Sequence, residues 1–294
     1  MDFGRLITAM VTPFDEQGEV AWTQVPPLID MLIERQRTQS IVVFGTTGES
    51  PTLSDEEKIK LLDLAVRHAA GRCSIIAGTG SNDTKHSIEL TREAEKAGAD
   101  GVLLVVPYYN RPNQDGLYAH FAAVAQATKL PVMLYNVPSR TASNLEAETT
   151  LRLAQLPNVV AVKECGPTEQ VAYIAANAPE GFRVYSGDDT ASLSALSVGA
   201  YGIVSVASHV VGARMSEMLA AHAGGESDQA AAAYHSLLPV FKGLFACPHP
   251  VPNPVAVKYA LQLRGFEVGG VRLPLVEAAE DEKRYIERFM ADFD

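Results

Sequence analysis

The stretch VVAVKEC, residues 159–165, runs four apolar residues together and then a lysine, a glutamate and a cysteine. Short β-branched runs of this kind form strands buried on both faces, as parallel strands in α/β proteins are. Seven other stretches read the same way: LITAMVTPF (6–14), SIVVFGT (40–46), SIIAGTG (74–80), GVLLVVP (101–107), PVMLYNVP (131–138), FRVYSGDD (182–189) and GIVSVAS (202–208). Taken in order, the eight start 34, 34, 27, 30, 28, 23 and 20 residues apart, room for one helix and two loops each time. Helix signals fill the gaps. SDEE (54–57) is a capping box opening KIKLLDLAVRHAA, and helix-ending glycines lead into strands at AGADGV (97–102) and VGAYGI (198–203). Eight parallel strands alternating with helices is the count of a (βα)8 TIM barrel of the α/β class.

A doubly wound open sheet is the rival, and no nucleotide-binding fingerprint supports it. GTTGES (45–50) lacks the lysine of a phosphate-binding loop, and GTGSND (78–83) lacks the third glycine of a dinucleotide turn. Past residue 208 the pattern turns helical, through ARMSEMLAAHAGG, SDQAAAAYHSLLPVFKGLF, a proline-rich break at 247–254, VAVKYALQLRG and a last segment from 276. The expected division is a barrel catalytic domain over 1–224 and a C-terminal helical region over 225–294.

Composition narrows the function classes. The 294 residues are 47% hydrophobic and 20% charged, an ordinary soluble globular balance with ample core. A net charge of −11, with no cluster of Lys and Arg, argues against nucleic acid as a partner. Cys73, Cys165 and Cys247 are far apart and odd in number, which fits a reducing compartment. No apolar stretch is long enough for a membrane span, and MDFGRLITAMVTPF has no cleavage-site pattern, so a cytoplasmic location is expected.

In a barrel of this kind chemistry sits at the C-terminal strand ends and in the loops that follow. Those positions hold Thr46, Thr47, Glu49 and Ser50; Tyr108, Tyr109 and Arg111; Tyr135, Asn136, Ser139 and Arg140; Lys163 and Glu164; and Ser186 to Asp189. Of nine lysines only Lys163 falls inside a predicted strand. Burial disfavours an ammonium, and a neutral amine attacks carbonyl carbon to give a Schiff base. The competing reading is a buried ion pair with Glu164 or an aspartate of GDD (187–189). Tyr135 reads either as a core tyrosine or as a proton carrier one strand from Lys163. Thr46 and Thr47 are turn hydroxyls that could extend a proton relay, and Arg140 could grip a carboxylate with both arms of its fork. Metal chemistry would need several ligands converging at strand ends. Of seven histidines only His209 lies near one, leaving Asp188 and Asp189 as weak candidates, so the sequence favours lysine chemistry over metal.

Taken together, TPF (12–14), GTTGES (45–50), GTGSN (78–82), PYYNRP (107–112), YNVPSRT (135–141), VKE (162–164), SGDD (186–189) and PNP…VK (252–258) resemble the dihydrodipicolinate synthase family of pyruvate-dependent class I aldolases. The motifs occur in family order and cover nearly the whole chain. The resemblance implies a homotetramer, a dimer being compatible as well, that condenses pyruvate with L-aspartate 4-semialdehyde without metal or organic cofactor. It implies that Lys163 forms the Schiff base, that Tyr135 is the general acid/base, and that Thr46 and Tyr109 complete a hydroxyl relay, Tyr109 reaching in from a neighbouring subunit. Thr47, Gly187 and Val204 match positions that hold pyruvate, and Arg140 matches the arginine that binds the semialdehyde carboxylate.

N-acetylneuraminate lyases and 2-keto-3-deoxy sugar acid aldolases would share the lysine and the tyrosine, and Arg140 within PSRT favours the synthase over them. A keto-acid-binding barrel without turnover would be expected to have lost the lysine, tyrosine or threonine set. Two departures from the family pattern stand out. Ala256 replaces a familiar proline, with CPHPV (247–251) as a small insertion before it. Some members are inhibited by lysine at an interface site matched here by Ser50, Asn82 and Tyr108. There His86 replaces the carboxylate expected to hold the ammonium, and Lys58 adds a like charge, so weak or absent inhibition is expected.

Overall fold

The structure, a computed structural model, describes residues 2–291 and 293. Its strands are β1 (Leu6–Ala9), β2 (Ser40–Val43), β3 (Ser74–Gly78), β4 (Gly101–Val105), β5 (Val132–Asn136), β6 (Val159–Glu164), β7 (Arg183–Ser186) and β8 (Gly202–Ser205). They pair in parallel in chain order and β8 closes on β1, the expected TIM barrel. Side chains alternate as a two-faced strand requires. Ile7, Val42, Ile76, Leu103, Met133, Tyr135, Ala161, Tyr185 and Val204 form one apolar cluster inside the barrel. Their neighbours Ile41, Val43, Leu104, Leu134, Val162 and Ile203 join a second cluster between sheet and helices.

The helices are α1 (Val25–Asp30), α2 (Asp55–Ala69), α3 (Thr84–Lys96), α4 (Gln114–Gln126), α5 (Pro138–Thr141), α6 (Ala147–Leu153), α7 (Thr168–Asn177), α8 (Ser192–Ser197), α9 (Ser208–Ala223), α10 (Ser227–Gly243), α11 (Val255–Leu263) and α12 (Glu280–Ala291). The capping box forms as expected: Glu57 N–H donates to Ser54 Oγ at 3.2 Å, and Ser54 N–H to Glu57 Oε2 at 2.8 Å. The turns into β4 and β8 use Gly98 and Gly199 at φ +84° and +108°, backbone that favours glycine. The CPHPV segment closes a small antiparallel bridge between Ala246 and Pro250.

The C-terminal segment returns to the barrel mouth. Phe14 N–H donates to Val268 O at 3.0 Å. Arg272 lies over the Phe14 ring, forks onto Glu57 at 2.6 and 2.9 Å, and donates to Gly18 O and Thr52 O. Lys258 Nζ meets Glu49 Oε1 at 2.8 Å, both side chains 2% exposed. Burial lowers the Lys258 pKa to about 8, outweighing the attraction of Glu49. The loop after β2, which carries Thr46 and Thr47, is therefore held from the far end of the chain.

Candidate active site

Strand register sets the centre of the site. Lys163 on β6 lies directly beside Tyr135 on β5, and its Nζ stands 4.2 Å from the centre of the Tyr135 ring. Both are 5% exposed. Among the described residues Lys163 has no hydrogen bond and no ion pair. None of the three carboxylates suggested as its counter-charge pairs with it. Glu164 Oε1 accepts from Gly166 N–H at 2.6 Å and Asn136 Nδ2 at 2.9 Å, and Oε2 accepts from Gln170 Nε2 at 2.9 Å. Burial still raises the Glu164 pKa against those bonds. Asp188 accepts from the Thr190 hydroxyl and backbone, each at 2.7 Å. Asp189 caps the turn after β8, accepting from Val206 and Ala207 N–H at 3.1 and 2.8 Å. Among the described residues no three His, Cys, Asp or Glu side chains gather where they could hold a metal ion.

The wall behind the lysine is Gly187, whose N–H donates to Glu164 O at 2.8 Å. A Cβ there would stand 2.7 Å from Lys163 Cε and would also meet Cys165 Sγ, so glycine is required by close approach. Burial raises the pKa of Tyr135, and the Lys163 charge and the Thr46 hydroxyl only partly offset it. The phenol is thus a proton donor at neutral pH, linked to the half-buried Thr46. Thr47 is buried and accepts from Asn253 Nδ2 at 2.9 Å. The turn around them is strained, with Phe44 and Glu49 both at positive φ (39° and 56°). Lys258 on Glu49 Oε1, and Arg272 N–H on Glu49 Oε2 at 2.9 Å, hold it there.

A cavity of about 490 Å³ opens above these residues, lined by Thr46, Tyr135, Val137 and Arg140 at one end. Arg140 is exposed and rides on the single helical turn α5, directly after β5. The other end reaches Ser50, Asp55, Lys58 and His86. Val204 is buried inside the barrel on β8.

Tyr109 is not brought to Lys163 within its own chain. It is 90% exposed, at φ +74°, in a loop pinned by Asn82 Nδ2 to Tyr108 O (3.2 Å) and Asn110 Nδ2 to Asn82 O (2.8 Å). His209, the one histidine near a strand end, is a buried fastening: its Nδ1 bonds Val206 O at 2.8 Å and its Nε2 accepts from Val11 N–H at 3.1 Å. Sequence reasoning left out Asn253 as a partner of Thr47, and Gln170 with Asn144 as supports of Glu164 and Asn136. The one signal for Asn253 was its place in PNP…VK.

The match to known proteins extends over the same elements. The model of the dihydrodipicolinate synthetase family matches residues 2–292. The 4-hydroxy-tetrahydrodipicolinate synthase of Bacillus subtilis (strain 168) is 55% identical over 285 residues, 96% of this chain and 97% of that one. A crystal structure of dihydrodipicolinate synthase from Bacillus anthracis aligns at a TM-score of 0.95 and 46% identity, covering 99% of this chain and 98% of the other. The enzyme of Cyanidioschyzon merolae, solved with lysine bound, aligns at 0.95 and 42% identity, with the same coverage. By closed barrel, motif order and full-length similarity, this chain belongs to the dihydrodipicolinate synthetase family.

Proposed function

We propose that this chain is a lyase of the class I aldolase type that condenses pyruvate with L-aspartate 4-semialdehyde to 4-hydroxy-tetrahydrodipicolinate, a step of lysine and diaminopimelate biosynthesis. The observation that carries the reading is a buried lysine amine, without a carboxylate partner among the described residues, set against a protonated tyrosine at the mouth of the barrel. The Lys163 amine adds to the keto carbon of pyruvate, and loss of water leaves an iminium. That cation draws electrons from the methyl group, which gives up a proton to form the enamine. The enamine carbon attacks the aldehyde, whose oxygen takes a proton. The amine of the adduct then attacks the former keto carbon and displaces Lys163, closing the ring with no net redox change. Tyr135 and Thr46 carry the protons, since a hydroxyl pair both donates and accepts.

Arg140 lines the cavity with Thr46 and Tyr135, where a guanidinium can hold the semialdehyde carboxylate in bidentate fashion. Thr47, Gly187 and Val204 are the positions that would hold pyruvate; Gly187 packs against Lys163, and Thr47 and Val204 are buried at strand ends of the barrel. In a homotetramer, Tyr109 of one subunit would enter the site of the next, and its exposure and left-handed backbone support that role. Its proposed place of work is the cytoplasm; among the described residues no helix is long and apolar enough to cross a membrane. The test is borohydride reduction with pyruvate, peptide mass mapping of the adduct, and turnover with aspartate semialdehyde. An adduct on Lys163 with ring-forming turnover is expected. An adduct without turnover would move the second substrate to a sugar acid, and no adduct would end the Schiff-base mechanism.

A further inference from the structure

We propose that Asn253 is a positioning residue that sets the direction of the Thr47 proton and so makes Thr47 a donor toward the carboxylate of the keto acid. The inference rests on the reading of the site given above. A threonine hydroxyl has one hydrogen to give and two lone pairs to offer. Asn253 Nδ2 occupies a lone pair of Thr47 Oγ1 at 2.9 Å, across 206 residues of sequence. Among the described residues Thr47 Oγ1 has no acceptor for its own hydrogen. Thr47 is 2% exposed and Asn253 8%, so water does not freely replace either partner. A buried donor left unmatched is costly, so the site favours a ligand that brings an acceptor oxygen. An ionised carboxylate, the group a keto acid brings, accepts a bond roughly twice as strong as a neutral acceptor does.

The asparagine is itself fixed. The turn that follows it is closed by Val255 N–H to Pro252 O and Lys258 N–H to Pro254 O, both at 3.0 Å. Lys258 then grips Glu49, two residues beyond Thr47. The C-terminal segment therefore holds the threonine loop at two points, one ionic and one aimed at a single hydroxyl. The ionic point sets where the loop lies. The amide sets what the hydroxyl does.

The test uses the full-length enzyme and four variants: Asn253→Ala, Asn253→Asp, Thr47→Val and the Asn253→Ala/Thr47→Val double. Asparagine to aspartate keeps the shape but turns the donor into an acceptor, which draws the Thr47 hydrogen away from the ligand. We expect Asn253→Asp to raise the KM for pyruvate by about tenfold or more, the size of one lost hydrogen bond, with the KM for the aldehyde unchanged. Asn253→Ala is expected to raise it less, and to have no further effect once Thr47→Val has removed the hydroxyl. Wild-type pyruvate KM in Asn253→Asp would overturn the proposal, because the amide would then be accepting from Thr47. So would an equal loss from Asn253→Ala with and without the hydroxyl, or equal rises in both KM values, which mark a purely structural role. Absence of a pyruvate adduct on Lys163 in the wild type would instead remove the reading on which the proposal rests.

Discussion

Replacing Gly187 with alanine tests whether the position of the lysine is set from behind. The new Cβ would lie 2.7 Å from Lys163 Cε and 2.9 Å from its Cγ. Carbon atoms rest about 3.5–4.0 Å apart, so the lysine chain must move by roughly 1 Å. The amine rests 4.2 Å from the centre of the Tyr135 ring, so such a shift also changes its place relative to the phenol. Overpacking of this kind costs about 1–3 kcal/mol of stability. A nucleophile displaced by roughly 1 Å loses on the order of a hundredfold in rate. The measurement is the time course of borohydride-trapped pyruvate adduct by intact mass, with the melting temperature taken in parallel. Gly187→Ala should fold, melt lower and trap about a hundredfold more slowly. Adding Cys165→Ala removes the sulfur that the same Cβ would strike, so it should recover stability without recovering rate. Trapping at the wild-type rate in Gly187→Ala would refute the argument that this wall places the amine.

Arg140→Ala should leave pyruvate trapping intact and raise the KM for the aldehyde by about ten- to a hundredfold, the range for a lost charged hydrogen bond; an unchanged aldehyde KM would remove Arg140 from substrate binding. His209 is held neutral by burial, its pKa lowered to about 4. The unfolded chain binds more protons than the folded one between pH 6.5 and 4, so this group's contribution is complete above 6.5 and falls by about 3 kcal/mol on acidification through that window. Melting curves of wild type and His209→Gln should converge as pH falls, and a constant gap would contradict the assignment. Lysine should inhibit weakly or not at all, because His86 at 2.8 Å and Lys58 at 3.3 Å already occupy Asp55, the carboxylate nearest that end of the cavity. A micromolar inhibition constant would refute it.

The strand starts were legible almost to the residue, because buried parallel strands are apolar without interruption. Their ends were not. LITAMVTPF read as strand through residue 14, yet pairing stops at Ala9 while Met10 to Phe14 stay buried in a turn that Val268 and the Phe14 cation contacts cover. Apolarity reports burial, and it cannot separate a strand from a buried loop. Lys163 and Tyr135 were legible as interruptions of apolar runs. The turn of helix carrying Arg140 was hidden in YNVPSRT, since four residues have no periodicity to read. The Glu49–Lys258 pair and the Asn253–Thr47 bond join distant segments, and no local pattern encodes such partners. The direction of Glu164 was equally hidden, because it depends on Asn136 and Gln170 arriving together.

The long reach of the C-terminal segment has a consequence for how the enzyme is made. Arg272 bonds Gly18 O across 254 residues, and Asn253 bonds Thr47 across 206. Contacts this distant form late, after the loop entropy between them has been overcome. On the ribosome all eight strands emerge before Asn253, Lys258 and Arg272 exist. A nascent chain can therefore close its barrel while the turn bearing Thr46 and Thr47 is still without its anchors. On the proposed mechanism, turnover therefore waits until the segment from Asn253 to Arg272 has been made and has docked on that turn.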